Sequence, residues 1–207
     1  MNRKNLEILL SRSVKGFASP KINLEQYSTP SRVAANLITR AIELGDIQDK
    51  KIIELCAGTG ILSIAASVCG ATVTAIEIDQ DAAKIMEENI LINDLIVDVI
   101  IANALNYESD EIYDTAIINP PFGIQQKKYR DIDFITKAHT LASIVYSIVD
   151  GSPGNIKNLP KILEKHNIQV LESYLDEFPL AQSYSWHKQR QKVNKVLILR
   201  TEKIIIP

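Results

Sequence analysis

The residues with the clearest chemistry are Asn119-Pro120-Pro121-Phe122-Gly123. They follow Tyr113-Asp114-Thr115-Ala116-Ile117-Ile118, an apolar run that reads as a buried strand. They therefore fall at a strand's C-terminal end, where open α/β sheets bind ligands. Two consecutive prolines fix φ and remove two backbone donors, which leaves the carbonyls of Asn119 and Pro120 as stiff acceptors. A planar amino group needs two acceptors in one plane, and the Asn119 side-chain oxygen with the Pro120 carbonyl supplies them. Phe122 can then lie against the face of the ring that carries the amine. A plain turn, with Phe122 as core filler and Gly123 at positive φ, is the other reading of these residues, and the chain upstream decides between the two.

Upstream, residues 51–56 read as the first buried strand, followed at once by Ala57-Gly58-Thr59-Gly60 and an apolar helix, Ile61–Val68. A second strand over 72–76 closes on Glu77-Ile78-Asp79. Glycines let the backbone approach a ligand closely, and an acid about 20 positions later can accept hydrogen bonds from two ribose hydroxyls. A dinucleotide-binding dehydrogenase uses the same design, but its third glycine position is Ser63 here and its first is displaced. A tight turn with a solvated Glu77 is the alternative.

The elements that must position these residues alternate. Residues 4–12 read as a short helix and 13–28 as a linker. Thr29 is placed as an N-cap with Pro30 at the first helical position, and Val33, Leu37, Ala41 and Leu44 recur at helical spacing until Gly45 ends the helix. Gln26 and Tyr27 are thereby held just before a helix start. A helix over 81–93, a strand Val97–Ile101 with Asn103 just beyond it, and the strand Tyr113–Ile118 come next. A helix over 134–142, a strand over 144–149 and a helix over 156–166 follow, and strands over 168–174 and 193–199 finish the chain before Arg200. Alternation of this kind predicts an α/β fold with a doubly wound, mostly parallel sheet covered on both faces.

With 207 residues and 46% hydrophobic content, the chain suits a single domain with a substantial core. No window reaches the apolar length of a membrane span, and the start of the chain is too short and interrupted for a secretory signal, so a soluble, cytoplasmic protein is expected. Cys56 and Cys69 lack metal-ligand spacing and no metal site is expected. A formal net charge of −2 excludes a strongly basic protein that coats nucleic acid, so any such contact rests on local patches. Lys127, Lys128 and Arg130 form one, and His187, Lys188, Arg190, Lys192 and Lys195 another between the last two strands. A solvated charged loop is the plainer reading of either.

These residues together resemble a class I S-adenosylmethionine-dependent methyltransferase, with an Asn-Pro-Pro-Phe signature like that of enzymes acting on adenine N6, cytosine N4 or glutamine amines. Over nearly its whole length the chain is similar to the archaeal and eukaryotic small-subunit ribosomal RNA adenine-N6 methyltransferases. The likeness lies in Leu24-Glu25-Gln26-Tyr27-x-Thr29, the glycine loop, residues 119–123, Val145-Tyr146-Ser147, and Pro179-Leu180 through Ser183-Tyr184-x-Trp186-His187-Lys188. The chain departs from the family with Cys56 in place of a glycine, Asn103 in place of an acid, Val149 in place of a histidine and Trp186 in place of a phenylalanine.

The resemblance implies a Rossmann-like seven-stranded sheet with an antiparallel last strand, formed by a single methyltransferase domain over 1–207 in which 1–29 is a helix-and-linker extension. It implies S-adenosylmethionine held by Gln26, Tyr27, Thr29, Glu54, Ala57, Gly58, Gly60, Glu77, Ile78, Asn103 and Asn119. Asn119, Pro120, Pro121 and Phe122 would be catalytic, and Lys127, Lys128, Tyr146, His187, Lys188 and Arg190 would contact a structured RNA. Family members pair with a small zinc-binding activator protein along the Val97–Ile101 edge strand, so that partner or self-association is expected there. A protein glutamine N5 methyltransferase, or a silent RNA-binding scaffold of the same fold, is the alternative.

Overall fold

The computed structural model describes residues 1–122, 131–179 and 193–204. Among them lie helices α1 (Arg3–Ser13), α2 (Ser31–Glu43), α3 (Ile61–Val68), α4 (Gln80–Ile92), α5 (Asp131–Ala138) and α6 (Pro153–Lys165). The strands are β1 (Lys51–Leu55), β2 (Thr72–Glu77), β3 (Val97–Ile101), β4 (Tyr113–Ile118), β5 (Ala142–Asp150), β6 (Ile168–Pro179) and β7 (Val193–Lys203). They form one seven-stranded sheet in the order β3-β2-β1-β4-β5-β7-β6. β1 to β5 pair in parallel, and β7 runs antiparallel to both β5 and β6.

β1 to β5 read as nearly continuous apolar runs because helices cover both faces of the sheet. Ile52, Ile117 and Ile148 meet α1 to α4 on one face; Ile53, Ala116 and Val149 meet α5 and α6 on the other. The register then builds the site. Leu55, the last residue of β1, pairs with Ile76 of β2 and Ile118 of β4, so Cys56, Glu77 and Asn119 emerge side by side at one edge. β2 and β4 flank β1 on opposite sides, and this reversal of strand order opens the crevice.

α2 shows how local chemistry fixes a distant contact. Gly45 takes φ +79° after the helix, the Asp46 N–H reaches the Ala41 carbonyl at 2.9 Å and the Gly45 N–H reaches Ile42 at 3.0 Å. This glycine-terminated closure turns Asp46 under the sheet.

Several element boundaries differ from the sequence reading, those of α2, α5 and β6 among them. α2 starts at Ser31 with Pro30 as its cap, because the Thr29 hydroxyl is engaged with Asn119 instead of the helix amides. α5 covers Asp131–Ala138 and not 134–142: Asp131 and Asp133 suit its first turn, and the Leu141 carbonyl accepts from the Tyr113 N–H as the chain enters β5 at Ala142. β6 runs on past Tyr174 to Pro179, paired throughout with β7.

Candidate active site

The glycine loop leaves β1 through Cys56 at φ +59°, a left-handed conformation costing an L-residue about 1–2 kcal/mol. The Ala57 N–H extends the ladder to the Ile76 carbonyl at 3.0 Å, and the Gly60 N–H closes the turn on Ala57 at 2.9 Å. Gly58 (φ +57°) and Gly60 (φ +81°) cannot be replaced cheaply. A Cβ on Gly60 would lie 2.5 Å from Met86 Cγ, and one on Gly58 would lie 2.9 Å from Phe17 Cζ. The close approach at Gly58 comes from the N-terminal linker, which crosses over the loop. Asn89, fully buried on α4, clamps that linker: it accepts from the Lys15 N–H at 2.8 Å and donates to the carbonyls of Lys15 and Thr59 at 2.9 and 3.0 Å.

Three acids line up beneath the linker. Glu77 accepts from the Gly58 N–H at 2.6 Å and the Asp79 N–H at 2.9 Å; burial raises its carboxyl above the ordinary range while those amides pull it back. Glu54 accepts from the Ser63 N–H at 2.7 Å and from the Ser63 hydroxyl, yet burial pushes it up to about 8. Burial also raises the Cys56 thiol, and the neighbouring Glu77 and Glu54 add to this, so the sulfur stays protonated. Asp79 behaves oppositely. Burial works to raise it, but hydrogen bonds from Lys21 and Gln26 together outweigh that and hold it below its usual value. Lys21 Nζ sits 2.5 Å from Asp79 and 2.8 Å from Asp81, and the Gln26 amide donates to Asp79 at 2.6 Å while accepting from the Lys21 N–H at 2.7 Å.

Asn119 stands where β4 ends. Its Nδ2 donates to Thr29 Oγ1 at 2.8 Å. Its Oδ1 is buried and has no hydrogen-bond partner among the described residues. Phe122 meets Phe178 of β6 edge-on, with ring centroids 6.2 Å apart and planes at 75°.

Two adjoining spaces result. An open crevice is lined by Gln26, Tyr27, Thr29, Glu54, Ala57, Gly58, Glu77, Ile78, Asn103, Asn119 and Pro121, all picked out from the sequence. A smaller one lies among Glu25, Tyr27, Asn119, Pro120, Phe122 and Phe178. Glu25, Tyr27 and Asn119 belong to both. Asn103 is steadied at the crevice wall by the Leu105 N–H, which its Oδ1 accepts at 3.0 Å.

Some expected residues stand elsewhere. Gly60 caps α3 and does not line the crevice. The Gln26 amide is spent on Lys21 and Asp79, so it braces the wall. Tyr146 is buried in the sheet with its hydroxyl on Asp46, and lines neither space; its assignment to RNA contact is corrected to a structural one. Lys127, Lys128, His187, Lys188 and Arg190 lie outside the described residues.

Phe17, Glu25, Asn89 and Phe178 were not singled out from the sequence. Only Glu25 and Phe178 left a signal, the first inside the Leu24-Glu25-Gln26-Tyr27 stretch and the second on the alternation of β6.

Residues 32–143 match the methyltransferase small domain family. The rRNA N(6)-adenosine-methyltransferase METTL5 of Danio rerio is 33% identical over 92% of this chain and 93% of its own. The corresponding Mettl5 of Drosophila melanogaster is 33% identical over 92% of each. The crystal structure of a proposed RNA methyltransferase from Pyrococcus horikoshii superposes with a TM-score of 0.90 at 34% identity, covering 99% of both chains.

Proposed function

Since the chain belongs to the methyltransferase small domain family, and within it to the rRNA N(6)-adenosine-methyltransferases, we propose that it methylates adenine N6 of ribosomal or another structured RNA. The cofactor is S-adenosylmethionine, and the residues present fit it. Glu77 offers an acceptor-only carboxylate to ribose hydroxyls, Ile78 presents a half-exposed apolar side chain to a flat base, and Gly58 keeps the loop open under Phe17. When bound, the cofactor supplies an electrophilic methyl group on a sulfonium sulfur.

The chain's own residues prepare the amine. An exocyclic amine is a weak nucleophile because its lone pair is delocalised into the ring. Acceptors at Asn119 Oδ1 and the Pro120 carbonyl draw on its hydrogens and return density to nitrogen. Phe122 stacks the base, and Phe178 holds the Phe122 ring. Fixing both reactants at attack distance contributes up to ~7–11 kcal/mol in well-oriented systems.

The observation that carries this reading is the buried Asn119 Oδ1, an acceptor with no donor among the described residues, next to an aromatic face. A buried acceptor left unpaired costs about 1–3 kcal/mol, which an incoming amine would relieve. The test is mass spectrometry of digested ribosomal RNA after incubation with protein and labelled cofactor. N6-methyladenosine is expected; N4-methylcytosine, or label only in ribosomal protein, overturns the choice of substrate.

Lys127, Lys128, His187, Lys188 and Arg190 are proposed to hold RNA phosphates. The edge strand β3 is proposed to take a strand from a small zinc-binding activator protein or from a second copy. What supports this is that, among the described residues, β3 pairs only with β2 and has exposed Leu91, Ile92, Ile96 and Ile101 around it.

A further inference from the structure

We propose that Phe17 is a specificity-determining residue for the cofactor's sugar: its ring is an apolar cover beside Glu77 that keeps water from the hydrogen bonds between that carboxylate and the ribose hydroxyls. The inference rests on the cofactor placement given above, with Glu77 as the ribose acceptor.

The ring and the acid flank one residue. A Cβ on Gly58 would lie 2.9 Å from Phe17 Cζ and 3.7 and 3.8 Å from the two Cε atoms, so the ring meets the loop tip first and fills the place of a side chain. The same glycine donates its N–H to Glu77 Oε2 at 2.6 Å. Phe17, Gly58 and Glu77 all line the larger crevice. Glu77 Oε1 accepts from the Asp79 N–H at 2.9 Å, and since a carboxylate has about four lone-pair sites, it keeps capacity for ligand hydroxyls. Gly58 has no side chain with which to cover that acid. The linker supplies one.

The cover is held from both sides. Two residues before Phe17, Lys15 is bound by Asn89 through its N–H at 2.8 Å and its carbonyl at 2.9 Å. Four residues after it, Lys21 Nζ reaches Asp79 at 2.5 Å and Asp81 at 2.8 Å. Asn89 also donates to the Thr59 carbonyl at 3.0 Å, so the linker and the loop beneath it share an anchor. Within the span, a Cβ on Gly16 would lie 2.8 Å from Ser28 Oγ, which ties the linker's start to its end. A hydrogen bond to a carboxylate is strongest where water cannot compete for the same lone pairs. Glu77 is buried, and burial is the main reason its carboxyl is raised.

The experiment measures affinity for S-adenosylhomocysteine and for its 2′-deoxy analogue by calorimetry, on the full chain as wild type, Phe17→Ala and Phe17→Leu. Wild type should prefer the parent compound by about thirtyfold, in the range for a hydrogen bond to a charged group. Phe17→Ala should cut that preference to about fivefold, through weaker binding of the parent, while Phe17→Leu, which keeps an apolar cover, should hold it above about fifteenfold.

A ring that only packs the linker onto the loop would, when removed, weaken both compounds by the same factor. Equal weakening therefore overturns the proposal, as does a preference in Phe17→Ala that matches wild type. A wild type that binds both compounds equally well defeats a different claim, the placement of ribose on Glu77, and the role given to Phe17 falls with it.

Discussion

The Tyr146 hydroxyl donates to Asp46 at 2.6 Å across 100 residues of sequence, and Arg200, paired opposite Tyr146 on β7, donates to the same carboxylate at 2.7 Å. The network ties the turn after α2 to β5 and β7 on the side of the sheet away from the crevice. Burial, then the neighbouring Asp46, raises the Tyr146 hydroxyl, so it stays a donor at any working pH. Tyr146→Phe should cost about 1.5–3 kcal/mol, the range for a hydrogen bond to a charged group. Turnover at a temperature where the variant is folded should match the wild type. Urea unfolding with a parallel activity assay checks both, and a variant that is stable but slow would return Tyr146 to the substrate.

Asn119 and Phe122 should separate cleanly in kinetics. Asn119→Ala removes the acceptor and should abolish methyl transfer while cofactor affinity stays within a few-fold, because the contact is to the amine. Phe122→Ala should weaken RNA use by ~1–3 kcal/mol, the worth of stacking one base. Cofactor titration beside steady-state assays with RNA is the measurement. Loss of cofactor binding in Asn119→Ala would move that residue's main role to the other side of the crevice.

The Lys21, Gln26 and Asp79 cluster fastens the linker over the glycine loop. Asp79→Asn removes the charge that holds both partners, so cofactor affinity should fall by about tenfold with kcat at saturation unchanged. The folded Asp79 carboxyl lies below its ordinary 3.8, so its contribution is present at neutral pH and fades only as pH falls through that lower value. Calorimetry at pH 7 tests the affinity, and an unchanged dissociation constant would mean the linker contributes nothing to closure.

The sheet and both strand ends at the crevice were legible because buried parallel strands are written as unbroken apolar runs, and each run here stops at a residue that lines the crevice: Glu77 as the last residue of β2, Asn119 just after β4. The linker was not legible. Phe17 and Lys21 sit in a stretch with no period, and their partners Gly58 and Asp79 are joined to them only by the fold. Asn89 is polar on an amphipathic helix and reads as surface, yet it is buried between loop and linker. Tyr146 shows a further limit. A buried tyrosine in a strand announces that its hydroxyl has a partner, but not which end of the sheet that partner occupies.

Glu54 should make stability fall as pH rises. Its folded carboxyl keeps a proton up to about 8, whereas the unfolded chain releases it near 4.5. Between those values the folded state binds more protons, so unfolding becomes easier with increasing pH and the loss is complete above about 8. Glu54→Gln, which retains an acceptor for Ser63, should lack this component. Relative to wild type it should gain on the order of a few kcal/mol between pH 5 and pH 8.5. Urea unfolding at both pH values decides it; a difference that does not change with pH would mean Glu54 ionises normally.

The edge of β3 offers the last test. A lysine at Val99 looks from the sequence like the natural way to block pairing, but Val99 packs against the core and its replacement would damage the monomer. Ile96 is 92% exposed and Ile101 52%, while Leu91 at the end of α4 is 81% exposed beside them. Apolar side chains so exposed contribute little to the monomer, and contiguous ones mark interaction surfaces. Changing Ile96 and Ile101 to lysine should leave thermal unfolding of the isolated chain within about 0.5 kcal/mol of wild type, as for surface changes in general. The same pair should abolish strand pairing, since charge on an edge is how sheets refuse a neighbour. Size-exclusion chromatography with light scattering, on the chain alone and with a small zinc-binding candidate partner, reads the outcome. If the double variant still forms the complex that wild type forms, or wild type stays monomeric under both conditions, β3 is not the interface.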